Sequence, residues 1–168
     1  MYLSKNMKNK QIILNQEEIN SKINRIAVSI IEDYYQETDI TIIGFEKNGY
    51  IIAQKIKNII EKRHNINVSL HKIKTNALFE YSITPKITAR KLKNVFLVDD
   101  VLKSGKTIIY GIKKILEHNT QSLKTIILVN RNHHRFPVSA DYVGLNLSTT
   151  LKDHIEVVLQ KEETVYLT

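Results

Sequence analysis

Residues 95–107 read VFLVDDVLKSGKT. Four apolar residues precede Asp99 and Asp100, which indicates a buried strand with two carboxylates at its carboxyl end. The segment 104–107, SGKT, is then expected to open a helix, with Gly105 allowing close approach of a ligand to the backbone. Ligands of open α/β sheets bind at the carboxyl ends of strands, and helix amino termini attract phosphate. The stretch therefore predicts a ligand site that combines carboxylates with a phosphate cradle.

The acidic pair and the cradle together narrow the class of ligand. Carboxylates repel phosphate, so the ligand should offer hydroxyl groups to the aspartates and a phosphate to the cradle, with a divalent cation nearby. A phosphorylated sugar fits that description. The ending SGKT also matches a nucleotide-binding P-loop. That motif requires glycine where this chain has Asp100, so the P-loop interpretation is rejected. A plain strand-to-helix turn with solvated aspartates is the structural alternative.

Strand and helix patterns alternate on either side of this stretch. Asn15 and Glu18 form a capping-box pattern that predicts the start of the first helix. Near-continuous apolar strands alternating with helices predict an α/β fold whose parallel sheet is covered on both faces. The predicted strands are 11–14, 39–45, 67–73, 94–98 and 125–129, and the predicted helices carry their apolar residues at 19–34, 52–60 and 108–116.

Two regions have a less regular pattern. Residues 74–93 contain Pro85 and are expected to form a mobile loop or a short hairpin, and residues 99–105 are expected to form a loop. Short strands are expected at 141–145, 155–160 and 164–167. These last strands suggest a small subdomain at the edge of the sheet.

Composition limits the classes of protein that fit. The 168 residues include no cysteine, which excludes disulfides and thiolate zinc sites. No apolar run is long enough for a membrane span and no secretory signal precedes the domain, so we expect a cytoplasmic protein without a membrane partner. The net charge of +8 is compatible with a polyanionic partner or with lysines that merely decorate the surface.

The stretch 95–107 resembles the motif that binds 5-phosphoribosyl-1-pyrophosphate (PRPP) in type I phosphoribosyltransferases. The resemblance implies an α/β fold with a central, mainly parallel sheet flanked by helices and a small hood subdomain. It also implies that Asp99 and Asp100 are the catalytic pair, holding the ribose 2- and 3-hydroxyls and, directly or through water, Mg²⁺. Residues 103–107 would wrap the 5-phosphate, and the PRPP site in full would continue through Val101, Leu102, Lys103, Ser104, Gly105, Lys106 and Thr107.

Three further stretches, 13–32, 42–56 and 128–150, resemble the bacterial pyrimidine operon attenuator and uracil phosphoribosyltransferase family, PyrR. The resemblance implies a single domain over residues 1–168, with a hood formed by both terminal segments, and a homodimer or higher homo-oligomer. The pyrophosphate loop of the family matches residues 46–49. The residues carried over are Lys47, Asn48 and Gly49 for PRPP, and Arg131 and Asn132 for the region that faces the base.

The sequence departs from the family pattern in three places. Residues 71–90 are shorter than the family's flexible catalytic loop and lack its Arg-Asp-Asp run, which bears on closure over the substrate. Purine-specific relatives carry a base-contacting aspartate where this chain has Lys103, which favours a pyrimidine, with uracil as the expected base. Ser139, Leu145 and His134 stand in place of basic residues on the surface used for RNA, which weakens RNA binding.

Two functions remain as hypotheses. In the first, the protein is an enzyme that transfers the ribosyl phosphate of PRPP to uracil, with Mg²⁺, giving UMP and pyrophosphate. In the second, it is a PyrR-like RNA-binding regulator of pyrimidine genes with weak or no transferase activity; a PRPP-fold protein without activity is a third. Adjacent His133 and His134 on an extended segment point to opposite sides, so no metal site is expected there.

Overall fold

The computed structural model describes residues 10–76, 80–148 and 153–168. Helices and strands alternate along most of the chain, as the sequence pattern predicts. The elements are β1 (Gln11–Leu14), α1 (Gln16–Asp33), β2 (Asp39–Phe45), α2 (Asn48–Arg63), β3 (Asn67–Thr75), β4 (Tyr81–Thr84), β5 (Leu92–Leu102), α3 (Lys106–Ile115), β6 (Thr120–Arg131), β7 (Tyr142–Leu147), β8 (Ile155–Val158) and β9 (Thr164–Leu167).

The main sheet has the strand order β4-β3-β2-β5-β6-β7. All neighbouring pairs in it are parallel except β3 and β4, which are antiparallel. One apolar cluster joins α1 and α2 to the sheet through residues such as Ile19, Ile52 and Phe96. A second cluster joins α3 to the opposite face through Ile108 and Leu97. The predicted parallel sheet covered on both faces is confirmed.

Helix α1 begins where the capping box predicts. The Asn15 side chain accepts a hydrogen bond of 2.9 Å from the Glu18 N–H, and the Glu18 carboxylate accepts one of 2.9 Å from the Asn15 N–H. These two bonds satisfy donors that a helix start otherwise leaves without partners. The apolar face of α1 then packs on the sheet, where the Tyr34 ring meets the fully buried Phe96 ring edge-on at 5.1 Å.

A second, three-stranded antiparallel sheet has the order β1-β9-β8 and joins the two ends of the described chain. This sheet is the small hood that the resemblance implies. Lys55 in α2 ties it to the rest of the molecule, because its ammonium lies 2.5 Å from the Glu163 carboxylate and 3.0 Å from Oδ1 of the Asn20 side chain. That residues 1–168 form a single domain stays a prediction.

The structure corrects two of these predictions and decides between the alternatives of a third. Strand β5 continues from Val98 to Leu102, so the acidic pair lies in a strand and not in a loop, because the register of β5 against β6 continues through this segment. Strand β7 belongs to the main sheet, where it pairs with β6, and not to the small subdomain. In the region 74–93 the hairpin alternative is right, since β4 pairs with β3; residues 77–79 lie outside the described residues.

No helix in the described part of the chain is long and apolar enough to cross a membrane.

Candidate active site

The carboxyl ends of β2 and β5 lie side by side, and the connections that leave them run in opposite directions. From β2 the chain passes through α2 to β3 on one side, and from β5 it passes through α3 to β6 on the other. Such a switch in strand order opens a crevice at the edge of the sheet, where ligands of open α/β sheets bind. The candidate site occupies this crevice.

Asp99 and Asp100 project to opposite faces of β5 at the crevice. Successive side chains of a strand alternate, and Leu97 packs with the α3 cluster while Val98 packs with the α1 and α2 cluster. Alternation from Leu97 and Val98 places Asp99 on the α3 side and Asp100 on the α2 side, and it is interrupted after Asp100, because Val101 packs with the α1 and α2 cluster and Leu102 with the α3 cluster. The hydrogen bonds agree, because Asp100 accepts one of 2.7 Å from the Asn48 amide at the start of α2.

Each carboxylate also accepts a hydrogen bond from the backbone beside it. The Asp100 N–H donates to Asp99 Oδ1 at 2.9 Å, and the Val101 N–H donates to Asp100 Oδ1 at 2.8 Å. These bonds hold both side chains against their own strand. Burial, followed by the nearby charge of Asp100, raises the pKa of Asp99 well above its usual range. Asp99 therefore resists ionisation in its buried position beside Asp100.

Helix α2 begins at the crevice without a side-chain cap. Its cap residue, Lys47, has φ 70° and ψ −113°, a conformation that side chains other than glycine rarely adopt. Lys47 is exposed, and its own side chain makes no capping bond to the first turn. Gly49 follows in that turn, where a Cβ atom would lie 2.6 Å from the Val98 carbonyl oxygen. Only glycine lets α2 approach β5 this closely.

Helix α3 begins on the other side of the crevice, again without a capping side chain from its cap residue, Gly105 (φ 83°). The connecting loop is only residues 103–105, and the segment after β6 braces it. The backbone N–H groups of Arg135 and Phe136 both donate to the Ser104 carbonyl oxygen at 3.0 Å. A Cβ atom on Gly105 would lie 2.4 Å from Val138. The loop is therefore held tightly against the sheet.

The hood lies over one side of the crevice, where β8 and the residue before it contact the main sheet's edge. Asn48 donates its second amide hydrogen to the Val157 carbonyl oxygen at 2.8 Å, and Lys103 Nζ lies 3.3 Å from His154 Nδ1. Together these elements line an open cleft of about 590 Å³. Its lining is Phe45, Glu46, Lys47, Ile73, Lys74, Thr75, Asp99, Asp100, Val101, Lys103, Thr107, His154 and Ile155.

Residues 10–162 match the model of the phosphoribosyl transferase domain family. The chain belongs to this family. Relatives named bifunctional protein PyrR include those of Streptococcus thermophilus, 33% identical over 91% of both chains, and Clostridium novyi, 30% identical over 92% of this chain and 93% of the relative. The hypoxanthine phosphoribosyltransferase of Trypanosoma cruzi has the same fold, with a TM-score of 0.77, 19% identity, and coverage of 92% of this chain and 95% of that one.

Membership makes the chain a PyrR-like type I phosphoribosyltransferase, as the sequence predicts. The structure brings together in the cleft Lys47, Asp99, Asp100, Val101, Lys103 and Thr107 from the predicted PRPP-binding set, while Leu102 is buried in the apolar cluster beneath α3. Asn48 and Gly49 lie in the first turn of α2 and not in a loop, and Ser104, Gly105 and Lys106 form the turn that opens α3.

Arg131 and Asn132 lie farther along the same edge of the sheet. Arg131 is the buried last residue of β6, and the Asn132 amide donates to the Ser148 hydroxyl at 3.0 Å. Neither residue lines the cleft around the acidic pair. A role for them in facing the base stays a prediction.

Several residues of this phosphoribosyltransferase cleft were missed from the sequence. Lys74 and Thr75 at the end of β3, and His154 and Ile155 at the start of β8, line it. The paired ends of β2 and β3 are a signal that could have found the first two, because parallel strands bring their carboxyl ends to one edge. The hood residues carry no such signal, since only tertiary packing places β8 over the crevice.

Proposed function

We propose that this phosphoribosyltransferase uses PRPP as the ribosyl phosphate donor and a pyrimidine, uracil, as the acceptor, with Mg²⁺ as cofactor. One observation carries the proposal for PRPP: a pair of carboxylates lies between two helix starts whose cap residues supply no capping side chain. At the start of α3 the Lys106 N–H makes a long bond of 3.3 Å to Ser104 Oγ. By contrast, α1 begins with a complete capping box. A ligand with hydroxyl groups in the middle and phosphates at both ends matches that arrangement.

The two ends of the cleft suit two different phosphate groups. At the start of α3, the loop 103–105 and Thr107 would receive the 5-phosphate, with Lys103 and Lys106 supplying positive charge. At the start of α2, Lys47 would meet the pyrophosphate. The strained backbone of Lys47 supports this assignment, because such conformations persist mainly where function or packing requires them.

The donor set of the cleft fits Mg²⁺ that arrives with a phosphorylated substrate. In the described ranges no three His, Cys, Asp or Glu side chains are grouped so as to hold a metal ion by themselves. Mg²⁺ commonly uses one or two carboxylates together with water and substrate phosphates. Asp99 and Asp100 are such carboxylates, adjacent in β5 and lining the same cleft. When bound, Mg²⁺ would neutralise the departing pyrophosphate.

The residues of the chain would then act by positioning and electrostatics. Asp99 and Asp100 accept hydrogen bonds from the ribose hydroxyls, which fixes the sugar while the bond from its anomeric carbon to pyrophosphate breaks and the bond to the base nitrogen forms. Lys47 stabilises negative charge on the leaving pyrophosphate. No residue of the chain needs to form a covalent intermediate, and the base nitrogen is the nucleophile.

Uracil as the acceptor rests on Lys103 and on the PyrR-named relatives. Lys103 is a cation at the position where purine-specific relatives carry a base-contacting aspartate, and its ammonium lies at the hood side of the cleft beside His154. A cation there suits the carbonyl oxygens of a pyrimidine. The relatives named bifunctional protein PyrR are 30–33% identical to this chain, whereas a purine phosphoribosyltransferase of similar fold is only 20% identical to it.

A transfer assay tests both parts of the proposal. The protein is incubated with PRPP, Mg²⁺ and either uracil, hypoxanthine or guanine, beside an Asp99→Asn, Asp100→Asn double variant. We expect UMP and pyrophosphate from uracil, little product with the purines, and loss of turnover in the double variant. Equal or greater turnover with a purine would overturn the assignment of the base, and wild-type rates in the double variant would overturn the roles of the aspartates.

RNA as a partner and a homodimer remain predictions. Two neighbouring residues lie in the segment that matches the RNA-binding surface of the PyrR family. Arg135 is exposed and cationic, whereas His134 bonds within the protein, with its Nε2 3.0 Å from Asn130 Oδ1. A filter-binding titration at several salt concentrations is the matching test. Sequence-specific RNA binding together with no transfer to any base would favour the regulator over the enzyme.

A further inference from the structure

The side chain of Asn48 donates its hydrogen bonds to the protein itself, one of them to the acidic pair. Its amide nitrogen lies 2.7 Å from Asp100 Oδ2 and 2.8 Å from the Val157 carbonyl oxygen. Both partners can only accept hydrogen bonds, so the nitrogen of the side chain, and not its oxygen, must face them. The two hydrogens of the amide are then both used within the protein.

The remaining atom of the Asn48 side chain is an acceptor oxygen. An acceptor has no attraction for phosphate oxygens, which are acceptors themselves. Asn48 lies in the first turn of α2, where a donor toward the pyrophosphate would be expected from its side chain if it bound that group directly. The pattern of donors and acceptors therefore argues against direct contact between this amide and PRPP.

The same amide gives Asp100 its second fixed donor. Oδ1 accepts from the Val101 N–H at 2.8 Å and Oδ2 accepts from Asn48, so both oxygens of Asp100 are oriented. Since Asn48 also holds Val157 in β8, one side chain sets the carboxylate and the hood in a single arrangement. The hood has a separate tie to α2 in Lys55 and Glu163, which does not touch Asp100.

We propose that Asn48 is a positioning residue of the transferase, which orients Asp100 and couples that orientation to the hood through Val157. The proposal deepens the proposed function, because it depends on Asp100 acting on PRPP. It replaces the expectation that Asn48 binds PRPP itself.

A double-mutant cycle separates the two roles. Asn48→Ala is expected to lower kcat/KM for PRPP by about 10- to 100-fold, as expected for losing a hydrogen bond to a charged group. In an Asp100→Asn background the same substitution should have little further effect, because Asn48 acts through Asp100. The same fold-loss in both backgrounds would show that Asn48 contacts PRPP, and no loss in either would show that Asn48 has no role; each result overturns the proposal.

Two measurements on the ligand-free protein test the proposal without turnover. In Asn48→Ala, the ¹³C chemical shift of the Asp100 carboxyl should change and peptides covering β8 and β9 should exchange amide hydrogen faster. The control Lys55→Met removes the other tie to the hood, so it should speed exchange of the same peptides but move the Asp100 signal much less, because Asn48 still bonds to Asp100. An Asp100 signal that moves equally in both variants would refute specific positioning by Asn48.

The outcomes also separate this inference from the proposed function. If the wild-type protein transfers PRPP to no base, the proposed function fails, and the carboxyl shift and exchange rates alone decide whether Asn48 orients Asp100. If Asn48→Ala does not fold, Asn48→Ser takes its place. Its single hydroxyl can donate to only one of the two acceptors, so a smaller loss of kcat/KM that again disappears in the Asp100→Asn background is expected.

Discussion

Substitution of Gly49 by alanine tests whether close contact between α2 and β5 sets the geometry of the acidic pair. The added Cβ would lie 2.6 Å from the Val98 carbonyl oxygen and 3.2 Å from the Asp99 Cα. Both neighbours are backbone atoms, so no side chain can turn away. To reach even the tight range of 3.0–3.4 Å, the start of α2 and the acidic end of β5 have to separate by about 0.4–0.8 Å.

The expected losses follow from that separation. Overpacking typically costs about 1–3 kcal/mol, and alanine recovers up to about 1 kcal/mol over glycine within a helix. We therefore expect the free energy of unfolding to fall by about 1–2 kcal/mol. Misplacement of catalytic groups by about 1 Å can lower turnover about 100-fold, so a shift of this size should lower kcat by about 10- to 100-fold.

Gly144→Ala is the matched control. Its Cβ would lie 2.5 Å from the Leu128 carbonyl oxygen, the same kind of backbone clash, but in β7, two strands away from the acidic pair. Stability is measured by urea unfolding, and kcat by release of pyrophosphate well below both unfolding transitions. The reasoning is refuted if Gly49→Ala keeps wild-type kcat, or if Gly144→Ala loses stability and kcat to the same extent as Gly49→Ala.

Three further variants test separate features. Asp99→Asn should make the protein more stable at pH 7 in the absence of ligand, because the raised pKa of Asp99 means that its ionised form opposes folding. The gain in the free energy of unfolding should vanish below about pH 4, where Asp99 is protonated in the folded and the unfolded protein. Urea unfolding at a series of pH values measures this. Asn15→Ala removes the capping box and should lower the free energy of unfolding by about 1 kcal/mol without changing kcat at low temperature. Gly105→Ala should weaken PRPP binding, measured by calorimetry, because the new Cβ would clash with Val138 and would strain a left-handed backbone. Adding Val138→Ala removes the clash but leaves the backbone strain of about 1–2 kcal/mol, so it should restore only part of the affinity.

Local patterns were enough to predict most of the fold. The bounds of β1, β2 and β9 agree with the strands predicted at 11–14, 39–45 and 164–167, because apolar β-rich runs there end at turn residues. The capping box of Asn15 placed the start of α1. In each case the signal lies within a few residues of the element and needs no knowledge of its neighbours.

Features that depend on pairing between distant segments could not be predicted in this way. The apolar run that predicts β5 ends at Val98, so the pattern predicts a loop at Asp99 and Asp100, yet β5 continues to Leu102 because β6 supplies a partner for it. The brace from Arg135 and Phe136 onto Ser104 uses backbone N–H groups, which leave no trace in residue types. The place of the acidic pair beside a helix start was therefore predictable from the residues, and the contacts that hold the surrounding cleft together were not.

The strand order gives a physical reason for this division. The crevice exists because β2 and β5 are neighbours whose helices leave to opposite faces, and it brings the starts of α2 and α3 to either side of one acidic strand end. Ligands of open α/β sheets bind at such a switch in strand order, so the acidic motif at the end of β5 is enough to locate the candidate site. In this chain the hood is attached over the edge through Asn48 to Val157 and through Lys103 to His154. Because Asn48 also bonds to Asp100, a change in the position of β8 should change the orientation of that carboxylate. Substitution of Val157, which packs in the apolar cluster and does not line the cleft, should therefore lower kcat in the transfer assay.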